Sequence, residues 1–290
     1  MTALLDALDE RAAANRAAAR RLGWQVSLPL AIAVGVVVGV TGALLVNLVV
    51  GIVLGLLVAV GAAVLLVRNR AGGATARVLS AIGARPATED EFPRYFNLIE
   101  GLSMSNGVEE PDLYVVDSPG ANALAVGAPG DAAVVVTTTL LEHLDRVELE
   151  GVLAEALYRI RVHEADLGAQ AASFVGGSLL GSGPATGGSV RSGGRRAAKL
   201  GGLLEERDHF VADMSASAMT RFPPGLRDAF VQLSETGSDV PSSPWGAAFL
   251  WMCDPYASLR AGVAPDSDDL TATVTHHPPL QHRIDLLAEL

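Results

Sequence analysis

The forty-two residues Val26 to Val67, VSLPLAIAVGVVVGVTGALLVNLVVGIVLGLLVAVGAAVLLV, contain no charged side chain. At 1.5 Å per residue a helix needs about 20 apolar residues to cross roughly 30 Å of hydrocarbon, so the run is long enough for two crossings. Asn47 lies at its centre and is its one strongly polar side chain. The sequence therefore predicts a tight helical hairpin with spans over 26–46 and 48–67 and Asn47 at the tip. Small residues recur every fourth position in both halves (Gly35, Gly39, Ala43; Gly51, Gly55, Ala59), a spacing that lets two membrane helices approach closely. A buried helix of a soluble protein does not fit, because a charge-free run of this length has no face to offer water. Nor does a cleaved leader, whose apolar stretch is far shorter.

Outward from this run, Arg11, Arg16, Arg20 and Arg21 precede it and Arg68, Arg70 and Arg77 follow it. By the positive-inside rule, both ends of the hairpin and the domain beyond are expected in the cytoplasm of a multi-pass cell-membrane protein. Residues 1–25 carry Leu4, Leu5, Leu8 and Ala12 at helical spacing among charges, which predicts a short amphipathic helix on the bilayer or against the domain. The bilayer is thus one partner. Nucleic acid is not: a formal net charge of −11 leaves no broad basic surface to displace counterions from phosphates. The single cysteine, Cys253, rules out an internal disulfide and a cysteine-rich metal site, and reads as a small buried hydrophobe beside Trp251 and Met252.

A soluble domain is expected over 72–290. Residues 88–106 predict a helix with Thr88 as N-cap and Glu91 three residues on. Strands follow at 113–116, 123–126 and 133–137, separated by Pro119-Gly120 and Pro129-Gly130 turns. A long helical pattern runs over 140–167, a Gly/Ser-rich segment over 176–196 reads as a flexible loop, and helices are expected at 203–219, 224–233 and 280–290. Trp245 to Met252 is too short to span a bilayer.

Several stretches then share an order. Pro111-Asp112-Leu113-Tyr114-Val115-Val116-Asp117 is followed by Asn122-Ala123-Leu124-Ala125-Val126-Gly127. Val136-Thr137, Leu140-Leu141, Glu148-Leu149 and Val152-Leu153-Ala154 come next, and the chain closes on His277-Pro278-Pro279, Arg283-Ile284 and Leu287. In order and spacing this resembles the HtpX-type family of membrane-bound zinc metallopeptidases, over the whole soluble domain. The resemblance implies an α+β fold: a mainly helical zincin-like metallopeptidase domain with a small antiparallel sheet, behind the N-terminal transmembrane hairpin. It also implies that 122–127 is an edge strand, which in active members lies against the substrate backbone.

In that family HExxH follows directly after the position of Ala154. Two histidines at i and i+4 reach one zinc ion, and the glutamate between takes a proton from the zinc-bound water. A later glutamate supplies the third ligand and leaves the fourth position open. Here the residues are Glu155-Ala156-Leu157-Tyr158-Arg159, and the later motif reads His209-Phe210-Val211-Ala212-Asp213. Glu155 and His209 retain donor atoms. Arg159 stays protonated and repels a metal ion, and Ala156 has no atom to accept a proton. Losing general-base catalysis alone costs about 10²–10⁴ in rate. No catalytic residue and no metal cofactor are therefore expected.

Glu155 and Arg159 are spaced for a helical ion pair, on a solvated face or, by the resemblance, on the floor of a cleft. The cleft reading puts the guanidinium in the space of the metal, held by Glu155 and by Asp208 or Asp213. The expected binding residues are Asn122, Ala123, Leu124, Ala125, Glu155, Arg159, His209 and Asp213, with the edge strand able to receive an extended polypeptide partner by strand addition. Taken alone, His209 is an ordinary helical histidine, Asn122 a turn former, and Arg191, Arg195 and Arg196 a solvated loop. His163-Glu164 is half a metal motif and is discounted, since Leu167 stands where its second histidine belongs. His276 and His277 read as turn residues. The leading function is a membrane-anchored pseudopeptidase that binds a membrane-associated polypeptide. The alternatives are an active zinc endopeptidase using Glu155, His209 and another histidine, and a purely structural subunit.

Overall fold

A computed structural model describes residues 2–177, 179–184, 206–261 and 277–290. Most of the Gly/Ser-rich segment with Arg191, Arg195 and Arg196, the start of the helix expected at Leu203, the Asp208 side chain and His276 lie outside the described residues.

Helix α1 (Thr2–Leu45) turns at Val46 and Asn47 into α2 (Leu48–Ala71). The Asn47 side chain accepts from the Val50 N–H at 2.9 Å and so caps α2, which places it at the hairpin tip as expected. Both helices are long and apolar enough to cross a membrane, and only 11% and 17% of their apolar windows are buried within the molecule, unlike a core helix. The backbones nearly touch. A Cβ added at Gly51 would lie 2.4 Å from the Ala43 nitrogen, and one added at Gly35 2.6 Å from the Ala59 Cβ. Residues 2–25 do not form a separate helix. They continue α1 without interruption, because the alanine-rich stretch Ala12–Ala19 favours helix and Pro29 is accommodated inside it.

After α3 (Ala74–Ile82) and the short strand β1 (Arg85–Pro86), helix α4 covers Pro93–Asn106. It starts four residues later than the Thr88 cap predicts. Pro93 occupies the first helical turn, where its missing N–H does no harm, and it disfavours helix in the residue before it. Glu91, the expected capping partner, pairs with Arg85 instead, at 2.6 Å.

Strands β2 (Asp112–Val116), β3 (Ala123–Val126) and β4 (Ala133–Thr137) complete a sheet of order β1-β2-β4-β3. The sheet is mixed rather than antiparallel. After β2 the chain passes to the far edge to form β3, and its hairpin return drops β4 between them, parallel to β2 (Leu113 opposite Val134) and antiparallel to β3 (Leu124 opposite Val135).

The long helical pattern after β4 divides into α5 (Thr138–His143), α6 (Arg146–Arg161) and α7 (Glu164–Phe174). Asp145 starts α6 with a reciprocal capping box to Glu148. The helix ends at Val162, because His163 takes a left-handed conformation (φ 56°) and turns the chain into α7. Next come α8 (Glu206–Thr220), α9 (Pro223–Thr236), a 3-10 turn at Trp245–Leu250, α10 (Ala257–Ala261) and α11 (Leu280–Ala288). Helix α6 is the core helix. Leu149, Val152, Leu153, Leu157 and Ile160 are buried in one cluster with Ile99 and Leu102 of α4 and Leu226 and Phe230 of α9. At Gly151 it meets α9 so closely that a Cβ would lie 2.7 Å from the Leu226 nitrogen.

Candidate functional site

Position within α6 decides what Glu155 and Arg159 can be. One helical turn apart on a buried face, they extend into the interior, with Glu155 only 2% exposed. The Arg159 Nε donates to Glu155 Oε1 at 2.8 Å, and its Nη2 lies 2.7 Å from the same oxygen. The Nη2 also donates to His209 Nδ1 at 3.0 Å, and Nη1 binds the Glu164 carboxylate. Burial would drain the proton from this guanidinium; the charges of Glu155 and Glu164 outweigh it and raise its pKa above the ordinary arginine value.

Beside this cluster lies a second cation. Arg283 of α11 forms a two-pronged pair with Asp213 of α8, Nε to Oδ2 at 2.8 Å and Nη2 to Oδ1 at 2.7 Å, and its Nη1 donates to the Met252 carbonyl at 2.6 Å. The guanidinium stacks 4.2 Å above the Phe230 ring, and its Nη2 is 3.8 Å from Glu155 Oε1. Glu155 therefore joins the two arginines. His277 lies next to His209, ring centroids 5.0 Å apart, and its Nε2 donates to the Trp251 carbonyl at 2.6 Å. The Cys253 thiol is pushed up to about 12 by burial, a non-reactive value consistent with a packing role.

Of the two aspartates expected on Arg159, Asp213 instead belongs to Arg283. The carboxylate that joins Glu155 on Arg159 is Glu164, which sequence reasoning discounted. Five residues along a helix is not one face; the left-handed turn at His163 brings Glu164 back.

The strand edge is also arranged differently from expectation. Asn122 is fully buried, and its amide donates to the carbonyls of Ser238 and Cys253, both at 2.9 Å, and accepts from the Cys253 N–H at 3.1 Å. It is a tie, not a turn residue. The outer edge of β3 faces the chain's own segment, with Leu124 bridged to Trp251 and the Met252 N–H donating to the Ala123 carbonyl at 2.7 Å. Asn122, Ala123, Leu124 and Ala125 are thus buried, and an added strand would have to displace Trp251 and Met252.

The family model for peptidase family M48 matches residues 91–155. A protease HtpX homologue of Dictyoglomus thermophilum is 32% identical over 230 residues, 71% of this chain and 72% of the relative. The chain belongs to the HtpX group of peptidase family M48. Further HtpX homologues, from Tropheryma whipplei (strain Twist) and Acidiphilium cryptum, are each 30% identical, over 72% and 79% of this chain and 76% and 87% of theirs. No solved structure matches.

HtpX-type peptidases imply a zinc ion, and the donor set around Arg159 does not suit one. The His209 Nδ1 is already the acceptor of an Arg159 hydrogen bond, and the Nη2 that donates it lies 2.7 Å from the Glu155 carboxylate, so a permanent cation bridges the two groups. No group of three or more His, Cys, Asp or Glu side chains able to hold a metal ion converges among the described residues.

Proposed function

We propose that this chain is a membrane-anchored HtpX-group protein in which an arginine-centred ion cluster has replaced the metal centre, so that it works by binding a polypeptide rather than by cutting one. The observation that carries this reading is the position of the Arg159 guanidinium, within hydrogen-bond distance of both Glu155 and His209, two of the residues the resemblance aligns with zinc ligands. A fixed cation supplies the charge that an ion would bring, but activates no water, and Ala156 offers no base. The basic flanks of the hairpin support a cytoplasmic side for the domain and for both ends of the chain. The partner class follows from the anchor: a polypeptide held in or near the same bilayer. Binding through β3 by strand addition requires Trp251 and Met252 to give way, so a partner of that kind pairs with an opened form of the domain.

The test is metal analysis of the purified full-length protein together with casein cleavage in the presence and absence of a chelator. The expected result is zinc well below one ion per chain and no chelator-sensitive cleavage. One tightly held zinc per chain with chelator-sensitive cleavage would overturn the reading in favour of an active endopeptidase. A photoreactive residue at Leu124, in membranes, checks the binding half: capture of a polypeptide supports it, and its absence leaves a purely structural subunit.

A further inference from the structure

The stretch of α1 before the membrane span does more than lead into it. Leu8, Ala12, Asn15, Ala19 and Leu22 recur at intervals of three or four along one face of that helix. Ala12, Ala19 and Leu22 are buried, and Leu8 packs against the cluster formed by Tyr158 and Val162 of the α6 end and Ala212 of α8. Three polar contacts then fall on consecutive residues of the α6–α7 corner. The Asn15 amide donates to the Val162 carbonyl at 2.8 Å, where the left-handed His163 has ended the helix. Arg16 Nη1 lies 3.4 Å from His163 Nε2, and Arg11 Nη2 lies 3.9 Å from Glu164 Oε2. The other oxygen of that carboxylate binds Arg159.

We propose that residues 8–16 of α1 are a strap that closes the α6–α7 corner, with Arg11 linking the strap through Glu164 to the buried ion cluster. Charge supports the link. Among the described residues the cluster holds the carboxylates of Glu155, Glu164 and Asp213 against the guanidinium groups of Arg159 and Arg283, and Arg11 brings the third positive charge. The strap is also built to be released. Within residues 8–16 only Ala12 is fully buried, so the strap covers little apolar area, and Arg11 is partly exposed to solvent, where an ion pair adds little. An open groove of about 350 Å³ runs beside it, lined on the strap by Leu8, Glu10 and Arg11 and on the domain by Tyr158, Val211 and Ser215.

Hydrogen exchange on the full-length protein in lipid nanodiscs tests this. Arg11→Glu places a carboxylate against Glu164 and is expected to speed amide exchange over residues 156–170 by at least about tenfold. Asn15→Ala, which removes one hydrogen bond and leaves the fold intact, is expected to give a smaller rise in the same peptides. Arg11→Lys should stay near wild type, as should Arg20→Glu on the exposed face. Unchanged exchange at 156–170 in both Arg11→Glu and Asn15→Ala overturns the strap. The strap does not depend on the absence of zinc, and metal content measured on the same samples tests that reading separately.

Discussion

In the α1–α2 hairpin the elements approach where side chains are smallest, and around Arg159 they approach where side chains are longest and charged. Both regions exclude water. In the hairpin nothing needs solvation, so glycine lets backbone meet backbone, and contact quality depends on shape alone. In the cluster every charged atom needs a partner, so its stability depends on completeness, and the loss of one member leaves another charge uncompensated in a low-dielectric interior. The first arrangement fails by overfilling, the second by removal.

That contrast is easiest to break at Arg159. Arg159→Ala leaves Glu155 and Glu164 only their longer contacts to Arg283 and Arg11 and is expected to cost about 3–5 kcal/mol in chemical denaturation of the detergent-solubilised protein. An unchanged unfolding midpoint would show the cluster to be solvated. A sharper form replaces both ends of the pair: Glu155→Leu with Arg159→Met is expected to recover part of the loss, since no orphaned charge remains between them. A double variant as unstable as the single would mean that Arg159 matters chiefly for Glu164 and His209.

The hairpin gives the next largest effect. Gly51→Val puts methyl groups into the Ala43 and Gly39 backbone and is expected to cost about 1–3 kcal/mol, read as a lower unfolding temperature in detergent. Gly61→Val, where a Cβ meets nothing within 4 Å, should be neutral. Equal effects at the two positions would refute shape-limited packing.

The smallest effect is a pH dependence at the strap. Burial lowers the His163 pKa below the ordinary imidazole value, Arg16 lowers it further, and Asp166 opposes both. Because the docked state disfavours the protonated ring, docking is intact above about pH 6.5 and weakens as pH falls through the lowered value. Exchange over 156–170, taken relative to the intrinsic amide rate at each pH, should therefore rise between pH 7.5 and 5.5, and His163→Gln should abolish that rise. Persistence of the rise in the variant would assign it to another group.

How much of this was legible in the sequence follows the range of each contact. The hairpin is written in local composition, since the absence of charge over forty-two residues needs no tertiary knowledge. The Glu155–Arg159 pair is equally local, one helical turn. Glu164 was missed because its approach depends on one left-handed residue, and His163, not a glycine, supplies it. Asp213 and Arg283 are seventy residues apart, and nothing in their spacing links them. The parallel pairing of β2 with β4 and the bridge from Leu124 to Trp251 are likewise products of topology. In the sequence, Trp245 to Met252 is only an apolar run, and the strand it would cover is indistinguishable from an open edge.

The turn between α1 and α2 occupies just Val46 and Asn47, and the Asn47 side chain is spent on capping the second helix. Among the described residues, that end of the molecule therefore offers little beyond a single carboxamide, and a partner approaching the hairpin turn has almost no polar group to grip.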